Sequence, residues 1–464
     1  MSPKRIHLIA TCGMGMASLA GLLKGKGYAV SGSDQNIYPP MSHQLESLGI
    51  PIRSPFSPEN LNPTPDLVIV GNAVSRNNPE VEAMLARGLP YLSMPQALHD
   101  FFLKDRFPIV IAGTHGKTTT SALTGWLLTQ TGRSPSFLVG GILKNSGRSY
   151  QNGTGPSFVL EGDEYDSAFF DKKPKFLHYA PKILVLNPVE FDHADIYRDL
   201  DHVLSAFREL IDSLGSDTLI IHHGQNPNVL SLVRSTSRRS VSFGLGSLTD
   251  VGTAGLELQR GTRFHLLLKG KTAIKLSSPL IGRHNVENLL AAVAVLLEMG
   301  VSLTEIQEVL PAFQGVKRRQ EILGTYRGVT LIDDFAHHPT AISETLKAIR
   351  ACYPEARLWA LFEPRSNTTR RKIFEPLFPD AFQEADETII APLYHPEKIE
   401  QEERLSPETI VAELSRRGKK ARQASSIDEI AGWVGEEARP GDIVCLMSNG
   451  AFGGLAEKLT RILQ

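Results

Sequence analysis

The sequence predicts an α/β protein built as three domains in series. Three observations carry that prediction. The length, 464 residues, suits about three domains at ~100–200 residues each. Short apolar runs alternate with amphipathic helical patterns in the first and last parts of the chain, as expected of right-handed βαβ units over parallel sheets. Between them, the apolar run Ile109–Ala112 breaks at Gly113 and passes through Thr114, His115 and Gly116 into Lys117-Thr118-Thr119 and a helical pattern. That order is a strand, a phosphate-binding turn and a helix.

The predicted first domain, 1–105, has strands at Ile6–Ala10, Tyr28–Ser33 and Leu67–Gly71 and a helix at Ala17–Lys24. Asp105-Arg-Phe-Pro108 marks the junction. The second, 106–320, opens with the phosphate turn and continues through strands Phe158–Leu160 and Ile183–Asn187 to an amphipathic helix around His202–Leu214. Between about Ser240 and Leu276, β-rich segments with polar turns, Leu256–Leu258 and Phe264–Leu268 among them, suggest an antiparallel side sheet. Helices follow at Val286–Glu298 and Leu303–Phe313, the latter with Ser302 as its N-cap. The third domain, 321–464, has strands Val329–Ile332, Leu358–Phe362, Glu387–Ile390 and Ile443–Met447 with helices Ala341–Ala351 and Leu455–Leu463. This is again a doubly wound pattern. The fold class is therefore a Rossmann-like N-terminal domain, a central P-loop domain and a Rossmann-like C-terminal domain.

Charge and cysteine content narrow the function. With 49 basic and 50 acidic residues the net charge is −1, so neither nucleic acid nor an anionic membrane is an expected partner. Three scattered cysteines, Cys12, Cys352 and Cys445, fit neither a disulfide framework nor a zinc knuckle. No apolar run reaches ~20 residues, and the N-terminal one is too short for a signal segment. A cytoplasmic protein, a monomer or weak homodimer, is expected.

Chemistry concentrates at predicted strand ends. In the turn Gly113–Thr119, backbone N–H groups would face a polyphosphate. Lys117 would reach the outer phosphates and Thr118 would ligate Mg²⁺, while His115 orients backbone; ATP use is the leading expectation. Glu161, at the end of an apolar strand, is the expected acid for the same cation. Asp163, Glu164 and Asp166 are assigned structural roles. His193, in Phe191-Asp-His-Ala-Asp195, is either a second cation ligand or an ordinary hydrogen-bonding histidine. In Arg283-His-Asn-Val-Glu-Asn288 the amides could read an adenine edge, or Asn285 could be a helix N-cap. The cationic run Lys317-Arg-Arg319, at the second junction, is either a solvated face or the source of a hinge arginine facing a γ-phosphate. His337 and His338 end one strand of the third domain, and Arg365 and Asn367 follow the next, where Arg365 could clamp a substrate carboxylate. Gly13, Gly15 and Asp34 have nearly the dinucleotide spacing, with Ser18 in place of the third glycine. A nicotinamide cofactor or the pyrophosphate of a UDP-sugar would both suit that turn. A nicotinamide oxidoreductase leaves Lys117 idle, and a non-catalytic nucleotide switch leaves the acids and histidines idle.

In combination, Gly-Thr-His-Gly-Lys-Thr-Thr, Glu-Gly-Asp-Glu-Tyr-Asp, Phe-Asp-His-Ala-Asp, Gly-Arg-His-Asn-x-x-Asn, Val-Lys-Arg-Arg and Asp-Asp-Phe-Ala-His-His-Pro-Thr resemble the Mur ligase family along nearly the whole chain. The resemblance implies an ATP- and Mg²⁺-dependent amide ligase with a UDP-sugar-binding first domain. It implies Lys117 on the β/γ-phosphates, Thr118 and Glu161 on one Mg²⁺, and His193 on a second cation. His284 and Asn288 fall beside adenine and Arg319 near the γ-phosphate. Gly162 and Pro188 depart from the family pattern, and Ser205-Ala-Phe-Arg208 stands where several members carry a carbamylated lysine, so none is expected. Four stretches, Asp34–Ser42, Ala168–Phe176, Phe362–Thr368 and Met447–Gly454, look like the branch that joins UDP-N-acetylmuramate to recycled L-alanyl-γ-D-glutamyl-meso-diaminopimelate. The alternative is the branch that adds L-alanine. His337 or His338 would be the base for the acceptor amine.

Overall fold

The computed structural model describes residues 4–464. Its first sheet is five parallel strands in the order Ile52–Arg53, Ala29–Ser33, Arg5–Ile9, Leu67–Val70, Tyr91–Ser93. The helix Met14–Gly25 crosses from the first strand to the second. It also lies on the central domain: Ser18 Oγ is 2.7 Å from Ser149 Oγ, and Asn152 Nδ2 donates to Leu22 O at 3.1 Å. A side chain at Gly21 would place Cβ 2.3 Å from Tyr150 Cζ. Apolar core consequently runs without a break from Ile6 and Leu8 through Leu19 and Leu23 to Leu138, Tyr150 and Phe158.

The central sheet has ten strands, in the order Lys271–Ser278, Gly261–Leu268, Val251–Gln259, Ser240–Phe243, Leu219–His223, Ile183–Leu186, Phe107–Ala112, Ser157–Gly162, Ser136–Leu143, Arg148–Gln151. The expected antiparallel strands between 251 and 278 exist, but they do not form a separate side sheet. Phe243 pairs with Val251 and splices them onto the parallel sheet. Phe264, Leu266 and Leu276 share one core with the helix Arg283–Glu298, and that burial keeps the sheet continuous. The helices Lys117–Gln130 and Arg283–Glu298 cover this face together. Leu200–Ser213 covers the other face through Phe207 and Leu210.

Ser302 and Glu305 form a reciprocal capping box, but the helix ends at Val309. A 3₁₀ turn replaces its last part at Leu310–Ala312, where Pro311 has no N–H to continue the ladder. Asn285 is not an N-cap; Gly282 holds that position.

The third sheet runs Glu321–Tyr326, Val329–Asp334, Ile443–Met447, Leu358–Phe362, Glu387–Ile390, Lys420–Gln423, with the first pair antiparallel and the rest parallel. The last strand in sequence is thus inserted in the middle. That brings the loops after Asp334, Phe362 and Met447 together at one carboxyl edge, the usual ligand edge of an open α/β sheet. None of the helices among the described residues is long and apolar enough to cross a membrane.

Candidate active site

The carboxyl edges of all three sheets open onto one cavity of about 1440 Å³, lined by residues from Met14 to Asn449. A single small-molecule pocket is typically ~300–1,000 Å³, so this one is large enough for more than one substrate.

At its centre is the phosphate turn. Gly113 and Gly116 have φ of 132° and 76°, values that L side chains rarely adopt. A Cβ on Gly116 would also lie 2.1 Å from Asn288 Oδ1. The following helix, Lys117–Gln130, has no side chain capping its N-terminus, leaving its first N–H groups for an anion. Thr114 N donates to Pro188 O at 2.9 Å, and the hydroxyl of Thr114 donates to Glu190 O at 2.9 Å. Pro188 is tolerated in its unusual place because the turn needs its carbonyl and not an N–H. Asn187 Nδ2 bonds His115 O and Thr120 Oγ1, each at 3.1 Å.

Lys117 Nζ donates to Gly113 O at 2.6 Å and to Glu164 Oε2 at 2.8 Å. Burial works against its charge, but Glu164, Asp163 and Glu161 hold its pKa above the ordinary lysine value. Glu164, assigned a structural role from sequence, is therefore part of the site. It is buried, and its Oε1 lies 3.5 Å from His193 Nε2. Asp166 and Asp163 pair instead with Lys172, on the second strand of the next hairpin, and with Lys175, just beyond it. Glu161 accepts from Thr118 Oγ1 at 3.1 Å and from the Gly140 N–H. Burial and Asp163 push its carboxyl above the usual range. Arg319 Nη2 is 3.3 Å from the same Thr118 hydroxyl, its guanidinium 4.7 Å from the centre of the Phe335 ring. Thr118 with half-buried Glu161, and buried Glu164 with His193, thus bring hydroxyl, carboxylate and imidazole donors together beside Lys117. Mg²⁺ favours such oxygen-rich sites beside phosphates.

His284 and Asn288 both line the cavity. The Asn288 amide, however, is engaged beneath the turn, accepting from Thr120 Oγ1 at 3.2 Å and donating to Asn285 Oδ1 at 3.1 Å. It supports Gly116 rather than pointing freely at a base. His284 Nδ1 is buried with no partner, an orphan atom suited to a bound ligand. Sequence reasoning missed the wall opposite, His223, Gln225, Asn226 and Phe243. Their signal was position alone, at the ends of strands Leu219–His223 and Ser240–Phe243.

The third domain is docked on the central one. Glu190 accepts from His115 Nε2 at 3.1 Å and from Thr340 Oγ1 at 2.8 Å. Although burial opposes ionisation, the His115 and Thr340 hydrogen bonds bring its pKa down to about 2. His115, Glu190 and His338 lie close enough to suggest a metal tripod, but the His338 ring is already committed. Its Nδ1 accepts from Thr340 N at 3.2 Å, capping helix Pro339–Cys352, and its Nε2 faces Phe191 O at 3.2 Å. His338 is thus a cap and domain contact, not a free base. His337 differs. Nδ1 is 3.0 Å from Phe335 O, burial lowers its pKa, and its Nε2 remains available on the cavity wall.

Asn367 lines the cavity as well. Its amide donates to Asp195 Oδ2 at 2.9 Å and accepts from Arg370 Nη2 at 2.7 Å, latching the two domains. Arg365 stacks 3.6 Å from the centre of the Tyr394 ring, with Glu363 3.5 Å away. Both Arg365 and Tyr394 line the cavity. In the first domain, Gly15 lines the cavity and Gly13 caps the helix beside it. Asp34, expected on a ribose, instead accepts from Cys12 N at 2.8 Å and Asn36 N at 3.1 Å, holding the glycine turn in shape.

This arrangement matches a known family. The Mur ligase family catalytic domain matches residues 5–106, the Mur ligase middle domain 111–296, and the Mur ligase glutamate ligase domain 318–450. The chain belongs to the Mur ligase family. An Escherichia coli K12 relative, UDP-N-acetylmuramate–L-alanyl-γ-D-glutamyl-meso-2,6-diaminoheptandioate ligase, is 40% identical over 98% of this Mur ligase and 97% of its own length. The crystal structure of a murein peptide ligase from Psychrobacter arcticus superposes with a TM-score of 0.76 at 34% identity, covering 99% of this chain and 98% of that one. A UDP-N-acetylmuramate–alanine ligase from Thermotoga maritima gives 0.82 at 25% identity, with 98% of each chain covered.

Proposed function

We propose that this Mur ligase joins UDP-N-acetylmuramate to L-alanyl-γ-D-glutamyl-meso-diaminopimelate, consuming ATP and serving peptidoglycan recycling. Near-full-length identity to the E. coli relative carries the choice of acceptor. The cavity shared by three domains supports a reaction that assembles three substrates.

A carboxylate does not acylate an amine at neutral pH, because its oxygen leaves poorly. In the proposed reaction an oxygen of the muramoyl carboxylate attacks the γ-phosphorus of ATP. The bond to the ADP oxygen breaks, and an acyl phosphate forms. Lys117 exchanges Glu164 for phosphate oxygens, while Arg319, beside Thr118, faces the transferring group. Mg²⁺, when bound by Thr118, Glu161, Glu164 and His193, supplies charge neutralisation on the phosphates. His337 Nε2 accepts a proton from the acceptor's α-ammonium group, and the amine lone pair attacks the acyl carbon. The carbon–oxygen bond to phosphate then breaks and inorganic phosphate leaves. The docked third domain, latched at Asp195–Asn367, shields the hydrolysable intermediate from water.

A second reading, with L-alanine as acceptor, has behind it the fold-level superposition on the T. maritima alanine ligase, while the sequence identities of 40% and 37% favour the tripeptide. Phosphate release with ATP and UDP-N-acetylmuramate separates them. Turnover is expected with the tripeptide and not with L-alanine; the reverse would establish the second reading.

A further inference from the structure

Beyond the groups that handle ATP, one buried cation on the cavity wall has no part in the mechanism above. Lys175 follows the hairpin formed by Asp166–Ala168 and Asp171–Pro174. Its side chain is 9% exposed, yet its ammonium is poorly partnered. Asp163 Oδ2 lies at 3.3 Å and the Tyr165 ring centre at 4.1 Å. Among the described residues Nζ has no other hydrogen-bond partner, which leaves donors of a three-donor group unsatisfied. The backbone fixes it there, through Lys175 N to Tyr165 O and Phe176 N to Asp163 O, both 3.2 Å.

Position gives those donors a use. The hairpin tip, Phe169 and Phe170, packs against the first-domain apolar cluster that includes Val68 and Val70, with the Phe170 ring centre 4.8 Å from that of Tyr91. The strand Leu67–Val70 leads to Asn72, which lines the cavity, as does Gly15. Asp163 separates Lys175 from Lys117 and feels the charge of both. Lys175 therefore stands between the sugar-nucleotide domain and the phosphate turn. An acid substrate must present its carboxylate in that interval to reach the γ-phosphate. Two anions approaching one another require a cation between or beside them.

We propose that Lys175 receives the carboxylate of the acid substrate and orients it toward the phosphate turn. This rests on UDP-N-acetylmuramate being that substrate. Lys175 is then a specificity-determining residue, because UDP-N-acetylglucosamine has a free 3-hydroxyl in place of the 3-O-lactyl ether and so lacks its carboxylate. Calorimetric dissociation constants for the two sugar nucleotides test it without turnover. The unmodified protein is expected to favour the muramate. Lys175→Met should reduce the preference by about tenfold to a hundredfold, the range for a charge-assisted hydrogen bond, while Lys175→Arg restores most of it. Should Lys175→Met fail to fold around an orphaned Asp163, Asp163→Asn/Lys175→Gln removes both charges and should lose the same preference. An unchanged preference in the folded variants overturns the proposal, as does a rise in tripeptide KM with the sugar preference intact. Failure of the unmodified protein to bind either sugar nucleotide would instead overturn the substrate assignment, and this proposal with it.

Discussion

Glu164 holds Lys117: Oε2 lies 2.8 Å from Nζ, and the same carboxylate's Oε1 lies 3.5 Å from His193 Nε2. The candidate phosphate-binding lysine is thus stored against an acid that sits beside a cation-ligating candidate. ATP would draw the lysine away and leave the carboxylate for the metal. Glu164→Gln keeps the shape and removes the charge. It is expected to raise the Mg²⁺ concentration for half-maximal phosphate release about tenfold or more. Unchanged Mg²⁺ dependence would confine Glu164 to holding the lysine.

Lys117→Ala should reduce ADP formation by about a thousandfold while UDP-N-acetylmuramate binding by calorimetry is retained. Loss of both would mean that the phosphate and sugar sites are not separate.

Burial, with His115 nearby, lowers His338 to about 4, against about 6.5 in an unfolded chain. Between pH 6.5 and 4 the unfolded chain takes up a proton that the folded one refuses, so stability falls as pH falls through that window. Glu190, near 2, extends the loss below about 4.5. Asparagine is a good N-cap, so His338→Asn should keep the helix start and remove the titration. Its thermal midpoint is expected to fall less than that of the unmodified protein between pH 7 and 4.5. Parallel slopes would remove His338 as the cause.

Gly21 lies against Tyr150 where the first two domains meet. Gly21→Val should cost about 2 kcal/mol in urea unfolding through overpacking. Adding Tyr150→Ala should destabilise less than the sum of the two single changes, because each site makes room for the other. Simple additivity would show that the helix shifts freely on the central sheet.

The Asp195–Asn367 latch predicts matched phenotypes. Asp195→Ala and Asn367→Ala should each raise the KM for the amine acceptor several-fold, leave sugar-nucleotide affinity unchanged, and in combination be no worse than either alone. Additive effects would mean that the two residues act separately.

Much of this was legible along the chain because it is local. The strand–turn–helix from Ile109 to Gln130 follows from an apolar run, two glycines and a helical pattern. The capping box at Ser302 and Glu305 is likewise written within four residues. The side sheet was misread because β-rich segments and polar turns report strands and not their neighbours; the single Phe243–Val251 pairing decides that. Asp34 and Asn367 have the residue types of ligand contacts, yet their oxygens and nitrogens found protein partners nearer at hand.

By itself the sequence determined the three α/β units, the phosphate turn and the set of strand-end acids and histidines, since each depends on neighbours within about a dozen residues. Only the tertiary structure decided which of those groups meet. Glu164 and Asp163 are adjacent in the chain, yet one turns to Lys117 and the other to Lys175. His337 and His338 are equally adjacent, but one keeps a free ring nitrogen and the other closes a domain contact. Strand order and domain docking set those partners, and contacts between residues distant in sequence leave no periodic trace along it.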